Sequence, residues 1–392
     1  MRIVALILLM LTIFFGLIAS TGRMIFLWLK LIFKNLNSLV FFFIYTLFVC
    51  LILTVFIVGR MPEAAIPRVV IQMGHYALGV FLYLLMTVNL LALLIFLGKL
   101  LRFIPSPVSP SVILPAGILA LLLVTGLSVY GIINATKVHT SQYTVLLGEN
   151  HKEQAEMDSL QIALVSDLHL GYIVEEEHLA KVVARVNAAE PDLVCLAGDV
   201  FDGNVFTLSN PARLKELLRS IKAKYGVYAC LGNHDAGSEY EQMVAFLTAA
   251  GVQVLQDEAV VIDHRVLLVG RKDSSPIGAQ GVVRQVAVTL PEAQSLPVIV
   301  MDHQPSNIGE YGPETDLVLS GHSHQGQMFP FNLITNAYFI EDYGHYKASA
   351  SGPQHIVTSG AGTWGPPLRV ATKNEIAEIR VLFPKKSLDG EI

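Results

Sequence analysis

The hydrophobic pattern divides this chain into two kinds of polymer. Up to about residue 136 it runs in four long, nearly uncharged apolar stretches, residues 3–19, 39–58, 76–97 and 112–135. Beyond that point the apolar runs are short and alternate with amphipathic segments. A run of about 17–25 apolar residues is long enough to cross a bilayer, so residues 1–136 predict a membrane domain with about four transmembrane helices. The first run has a second reading, because Arg2, a short apolar core and Ala19-Ser20 also fit a secretory signal peptide. Residues 24–37 mix Trp28 and aliphatic side chains with Lys30 and Lys34, which fits an interfacial helix or a basic loop with an aromatic anchor. Asn89 and the Gly and Pro residues within the runs are tolerable inside a bundle.

Residues 137–159 read as a linker, where Gly148, Glu149, Asn150, His151, Lys152, Glu153 and Gln154 interrupt the apolar periodicity. Thr144-Val145-Leu146-Leu147 is a candidate first edge strand of the second domain. Over residues 160–392 the pattern predicts strands at 161–166, 193–196 and 227–231, alternating with helices at 175–189 and 211–224. A helix at 238–250 and strands at 260–264, 265–270, 297–301 and 317–320 complete the reading. The βαβαβ beginning delivers loops at strand carboxyl ends, the usual place for sites in α/β folds. About 235 residues is ample for one domain with its own core.

Charge divides along the same boundary. Nine Lys/Arg stand against two Asp/Glu up to Asn150, and 18 against 30 thereafter, a net charge near −12 for the second part. So acidic a domain is a poor nucleic-acid binder.

At the ends of the predicted strands stand polar clusters: Asp167-Leu168-His169, Gly198-Asp199, Gly232-Asn233-His234-Asp235, Asp302-His303 and Gly321-His322-Ser323-His324. Taken singly, most of them read equally well as turns or caps. Gly-His-Ser-His is the hardest to dismiss, and five independent turns would rarely all choose metal-ligand residues. Asp oxygen and imidazole nitrogen with no thiolate suit a catalytic centre for Mn, Fe or Zn better than a structural zinc site. Two ions about 3.5–4 Å apart need a bridging oxygen, and Asp199 is the natural candidate. Asp202 and Asn204 follow Asp199 closely enough to approach the site, although a solvated loop is the first reading.

In their order these motifs resemble the calcineurin-like metallophosphoesterases, in particular the membrane-associated branch of YkuE-type phosphoesterases and the transmembrane protein with a metallophosphoesterase domain. The resemblance spans about residues 160–383, and it includes the Trp364-Gly365-Pro366-Pro367-Leu368-Arg369 segment and a closing strand at 374–379. It implies an α/β domain of two facing mixed β-sheets flanked by helices, joined to an α-helical transmembrane region. It assigns Asp167, His169 and His324 to one of two divalent or trivalent metal ions, and Asn233, His303 and His322 to the other, with Asp199 bridging. It further implies that a hydroxide on the metal pair attacks phosphorus and that His234 protonates the leaving group while Asp235 tunes His234. Trp364 and Arg369 are candidate substrate contacts, the guanidinium fork suiting a phosphate.

The expected activity is hydrolysis of a phosphoester, with a lipid-linked substrate and membrane lipid as partners. A UDP-diacylglucosamine-type lipid pyrophosphate is a specific alternative. A non-catalytic metal-binding scaffold should have lost a ligand, and none is lost; a transporter should carry paired ionisable residues within its spans, and these have essentially none. The expected location is the plasma or inner membrane, as a multi-pass protein. Arg23, Lys30, Lys34, Lys99 and Arg102 slightly outnumber Arg2, Arg60, Arg68 and Lys137 on the other side, so the positive-inside rule leans towards an extracytoplasmic catalytic domain. Cys50 falls within a span, while Cys195 and Cys230 sit in apolar strands and read as small buried hydrophobes.

Overall fold

The structure, a computed structural model, describes residues 2–59, 61, 66–147, 157–278, 280–285, 296–347, 349 and 352–384. Two compact units divide the chain, Met1–Ile132 and Ile133–Ile392. The first holds α1 (Arg2–Ile32), α2 (Ser38–Val58), α3 (Arg68–Leu100) and most of α4 (Pro110–Ala135). All four are long and apolar enough to cross a membrane. The segment that fitted either an interfacial helix or a basic loop continues α1 as helix to Ile32.

Two polar side chains tie these helices together, while Trp28 Nε1, Tyr83 Oη and Ser128 Oγ are buried without a hydrogen-bond partner. Asn89 of α3 donates to Thr21 Oγ1 at 2.7 Å and Leu17 O at 3.2 Å on α1. Tyr45 of α2 donates to Ile18 O at 2.8 Å. Leu, Ile and Phe side chains remain exposed on the outer faces, as expected for surfaces that meet lipid.

The second unit is built on two six-stranded sheets. Its strands are β1 (Val138–Leu146), β2 (Met157–Val165), β3 (Leu193–Ala197), β4 (Val227–Cys230), β5 (Gln253–Val254), β6 (Glu258–Ile262), β7 (Val266–Gly270), β8 (Val298–Met301), β9 (Leu317–Ser320), β10 (Gly344–Lys347), β11 (Gln354–Val357) and β12 (Asn374–Pro384). One sheet has the order β1-β12-β2-β3-β4-β5, the other β10-β11-β9-β8-β7-β6. Helices α5 (Glu176–Ala188), α6 (Pro211–Arg219) and α7 (Tyr240–Ala249) cross over between strands of the first sheet, and α8 (Phe331–Tyr338) comes after β9.

Burial explains the layering. Alternate residues of β2, Ile162 and Leu164, join Leu268 of β7, Ile299 and Met301 of β8 and Leu319 of β9 in one apolar layer between the sheets. The opposite residues, Ala163 and Val165, pack with Leu179, Val182 and Val186 of α5. The central strands β3, β4, β7, β8 and β9 are buried on both faces, which is why they read as continuous apolar runs. Cys195 and Cys230 lie in the layer between the sheets as free, buried thiols whose pKa values burial raises.

The segment read as linker contributes a full strand. β1 pairs in parallel with β12 over nine residues, from Val138 opposite Asn374 to Leu146 opposite Leu382. Residues 148–156 of the expected linker lie outside the described residues. The closing strand is also longer than the pattern at 374–379, because β12 runs on to Pro384 between β1 and β2.

Candidate metal centre

The loops after β2, β3, β4, β8 and β9 carry every proposed ligand. β2, β3 and β4 are mutually parallel, as are β8 and β9, so these loops leave at strand carboxyl ends. They stay zipped together beyond the strands: Asp167 N donates to Gly198 O, His169 N to Asp199 O and Gly321 N to His303 O, each at 3.0 Å. Turning the side chains into one space strains the backbone. Asp167, His169, Asp199, His322 and His324 all have positive φ, between 49° and 70°. Such conformations cost on the order of 1–3 kcal/mol each for a non-glycine residue and concentrate at functional sites.

Three donor triads result among the described residues, Asp167/His169/His324, Asp199/His303/His322 and, linking them, His169/Asp199/His234. In the first, His169 Nε2 and His324 Nε2 are 3.0 Å apart and His324 Nε2 lies 3.4 Å from Asp167 Oδ1. Asp199 joins the triads through one oxygen, since its Oδ2 is 3.1 Å from His303 Nε2 and 3.8 Å from His169 Nε2. Its other oxygen, Oδ1, accepts from His234 N at 2.8 Å. His303 Nδ1 stands 2.9 Å from Ala197 O; donation there orients the ring and leaves Nε2 as the nitrogen that faces the centre. Gly232 permits the close approach of the loops, because a Cβ there would fall 2.2 Å from Asp199 Oδ1 and 2.7 Å from His303 Cδ2.

Electrostatics prepare the donors. Burial opposes ionisation of Asp199, but the imidazoles of His303, His169 and His234 hold its pKa far below the usual carboxylate range. Burial would depress His303, yet the Asp199 carboxylate carries its pKa well above the normal imidazole value. His324 is pushed well below that value by burial and by His169, and His322 is lowered by burial and by His303. Neutral imidazole is the form that ligates.

The donor set fits metal cations. Asn233 Oδ1 is buried without a hydrogen-bond partner, an orphan of the kind a cation would satisfy.

Three sequence expectations are revised by this geometry. Asp235 does not serve the His234 imidazole: it is fully buried and accepts from Val200 N at 3.1 Å, Phe201 N at 2.9 Å and Gly232 N at 3.0 Å, tying the loop of Asp199 to that of Asn233. Burial and the charge of Asp199 raise its pKa to about 6. The carboxylate beside His234 is Asp202, read from sequence as part of a solvated loop. Its Oδ1 is 3.5 Å from His234 Nδ1 and 3.7 Å from His169 Nδ1. Arg369, expected to face substrate, is fully buried. It donates to Asn374 Oδ1 at 2.7 Å, His324 O at 2.9 Å, Ser359 O at 2.7 Å and Gly362 O at 2.6 Å, so it braces the loop of His324. Trp364 is 41% exposed, with its ring centroid 5.8 Å from that of His234, where it can meet a ligand.

An α/β domain with Asp, Asn and His donors at the carboxyl ends of facing sheets defines a metallophosphoesterase-like centre. The family model for calcineurin-like phosphoesterase matches residues 160–326. A Helicobacter pylori protein called an uncharacterized metallophosphoesterase is 33% identical over 229 residues, covering 57% of this chain and 60% of that one. The Danio rerio transmembrane protein with metallophosphoesterase domain is 30% identical over 284 residues, 67% of this chain and 62% of that one. The Bacillus subtilis uncharacterized metallophosphoesterase YkuE is 30% identical over 233 residues, 56% of this chain and 78% of that one. The chain belongs to the calcineurin-like metallophosphoesterase family. It spans about 60% of the length of the Helicobacter pylori relatives it matches.

Proposed function

We propose that this chain is a membrane-anchored, metal-dependent phosphoester hydrolase. The observation that supports this reading most is the meeting of two donor triads at one oxygen of Asp199. Asp167, His169 and His324 would hold one cation and Asn233, His303 and His322 the other, with Asp199 shared. The oxygen and nitrogen donors suit Mn, Fe or Zn. When bound, the ions supply charge neutralisation at the phosphoryl oxygens and a water activated at neutral pH.

The rest falls to the chain. Asp202 beside Nδ1 leaves Nε2 of His234 as the nitrogen that gives a proton to the departing oxygen. Trp364 lines the same side and would contact the leaving group. Asp235 and Arg369 hold the ligand loops in place without touching substrate. The four apolar helices would anchor the enzyme as a multi-pass protein, and the distribution of Lys and Arg supports an extracytoplasmic catalytic unit.

The test is a panel of nitrophenyl phosphate, bis(nitrophenyl) phosphate and a lipid-linked pyrophosphate offered to the purified full-length protein loaded with Mn, Fe or Zn. Metal-dependent hydrolysis of at least one ester is expected. Failure on the whole panel with every metal contradicts the reading.

A further inference from the structure

Helix α8 departs from the rule that the other helices of its unit obey. α5, α6 and α7 each bury three or four apolar side chains, whereas α8 buries none. Phe329, Leu333, Ile334, Tyr338 and Ile340 are 45% to 77% exposed. Taking ~200 Å² for each free side chain, the exposed part of these five comes to roughly 600 Å², the top of the range for the largest apolar patch on a soluble monomer. Residues 329–340 contain no charged side chain.

This surface is fixed to the metal centre. Gly326, at φ 71°, lies so close under the start of α8 that a Cβ there would fall 2.3 Å from Asn332 N. Thr335 Oγ1 donates to Asp342 Oδ2 at 2.6 Å, and Ser323, between His322 and His324, donates to Asp342 O at 2.5 Å. A run of rings leads inward, from Tyr338 to Phe339 at 4.9 Å between centroids and from Phe339 to His322 at 6.0 Å.

We propose that α8 seats the aliphatic tail of an amphiphilic phosphoester whose phosphoryl group lies at the metal centre. The substrate half of this proposal rests on the hydrolase reading above. A ligand that fills both places is anionic at one end and uncharged and apolar at the other. The chain's own candidate membrane spans would place it where such molecules concentrate.

The test uses alkyl nitrophenyl phosphodiesters with methyl to octyl chains and the full-length, metal-loaded protein in nanodiscs. In the reaction monitored, water adds its oxygen to phosphorus, nitrophenolate leaves with the bonding pair, and the alkyl phosphate and a proton are released. The readout is the octyl-to-methyl ratio of kcat/KM, taken within each protein so that phosphoryl chemistry cancels. Partitioning of the octyl ester into lipid cancels between proteins. Seven extra methylenes half shielded from water should give a ratio on the order of 100-fold beyond partitioning in the wild type. Leu333→Asp/Ile334→Asp should reduce it to less than about 5-fold, and Leu333→Ala/Ile334→Ala to an intermediate value.

The same high ratio in wild type and both variants would place the tail elsewhere and overturn the proposal. So would a wild-type ratio explained by partitioning alone. A change from dimer to monomer on substitution, with the ratio unmoved, would make the face a self-association surface instead. If the wild type hydrolyses none of the esters, the hydrolase reading fails by itself. Calorimetric binding of octylphosphonate against methylphosphonate then decides the seat, the same loss of preference being expected in the variants and an equal preference overturning it.

Discussion

Replacing Arg369 by Met separates bracing of a ligand loop from contact with substrate. The side chain is fully buried, and its guanidinium donates to three carbonyls, His324 O, Ser359 O and Gly362 O, and to Asn374 Oδ1. Burial draws its pKa down to about 10 against the pull of Asp167 and Glu375, so the charge is retained at neutral pH at some cost. Methionine fills most of the volume but leaves Ser359 O, Gly362 O and Asn374 Oδ1 unpaired, at about 1–3 kcal/mol for each buried group, while His324 O keeps its bond from Gln327 N. Some will find water, so a net loss on the order of 5 kcal/mol is expected, a large part of the stability of one domain. At about 2–4 °C per kcal/mol for a unit of this size, thermal unfolding of the full-length protein should fall by roughly 10 °C or more. Metal analysis should show loss first of the ion held by Asp167, His169 and His324. Arg369→Lys keeps the charge but not the fork, and should fall between. An unchanged melting temperature and metal content, with only KM raised for phosphoesters, would restore Arg369 as a substrate contact and refute the bracing role.

Three further outcomes are set by the geometry of the centre. His234→Ala should retain the metals and slow turnover more for alkoxide leaving groups than for nitrophenolate, which departs without a proton; equal losses on both would remove His234 as the acid. Asp202→Asn removes the charge beside both His234 Nδ1 and His169 Nδ1 and should lower activity by roughly 10–100-fold, the usual effect of losing such a partner, measured as kcat on a nitrophenyl ester; a change under twofold would mean the contact is incidental. Because the proton on His303 is held to a pH well above the ordinary imidazole value, an arriving cation must displace it. Metal affinity should therefore weaken as the pH falls from about 8 to about 6, with proton release on binding, and calorimetry in buffers of different ionisation enthalpy showing no release would contradict this.

Much of this arrangement was legible in the chain because strand-end ligands come directly after apolar runs. The loops after β2, β3, β4, β8 and β9 all lie where the periodicity placed them, and the four apolar stretches became α1 to α4. What the pattern missed has physical causes. Asp235 adjoins His234, but in a tight turn neighbouring side chains diverge, and its carboxylate was claimed by three backbone N–H groups while Asp202, distant in sequence, came beside the imidazole. Nothing local marks Arg369 as buried, since its partners are the Ser359 and Gly362 carbonyls at the far end of its own long loop, Asn374 and the carbonyl of His324. Only the end of β1, from Thr144, was read as an edge strand, because His139, Thr140, Ser141 and Gln142 stand in succession and break the apolar alternation of its first half. α8 is short, and although Phe331, Ile334 and Tyr338 fall at helical spacing it was not read as a helix.

The central claim is that one carboxylate joins two metal positions, and the most direct measurement of it is metal content per chain by mass spectrometry in the wild type and in Asp199→Ala, prepared side by side. Asp199 Oδ2 faces His303 in one triad and His169 in the other, so its loss should weaken both positions. The wild type is expected to carry two ions per chain, the variant fewer than one, with hydrolysis abolished. Two ions retained by the variant at wild-type affinity, or none bound by the wild type, would contradict the shared-ligand centre.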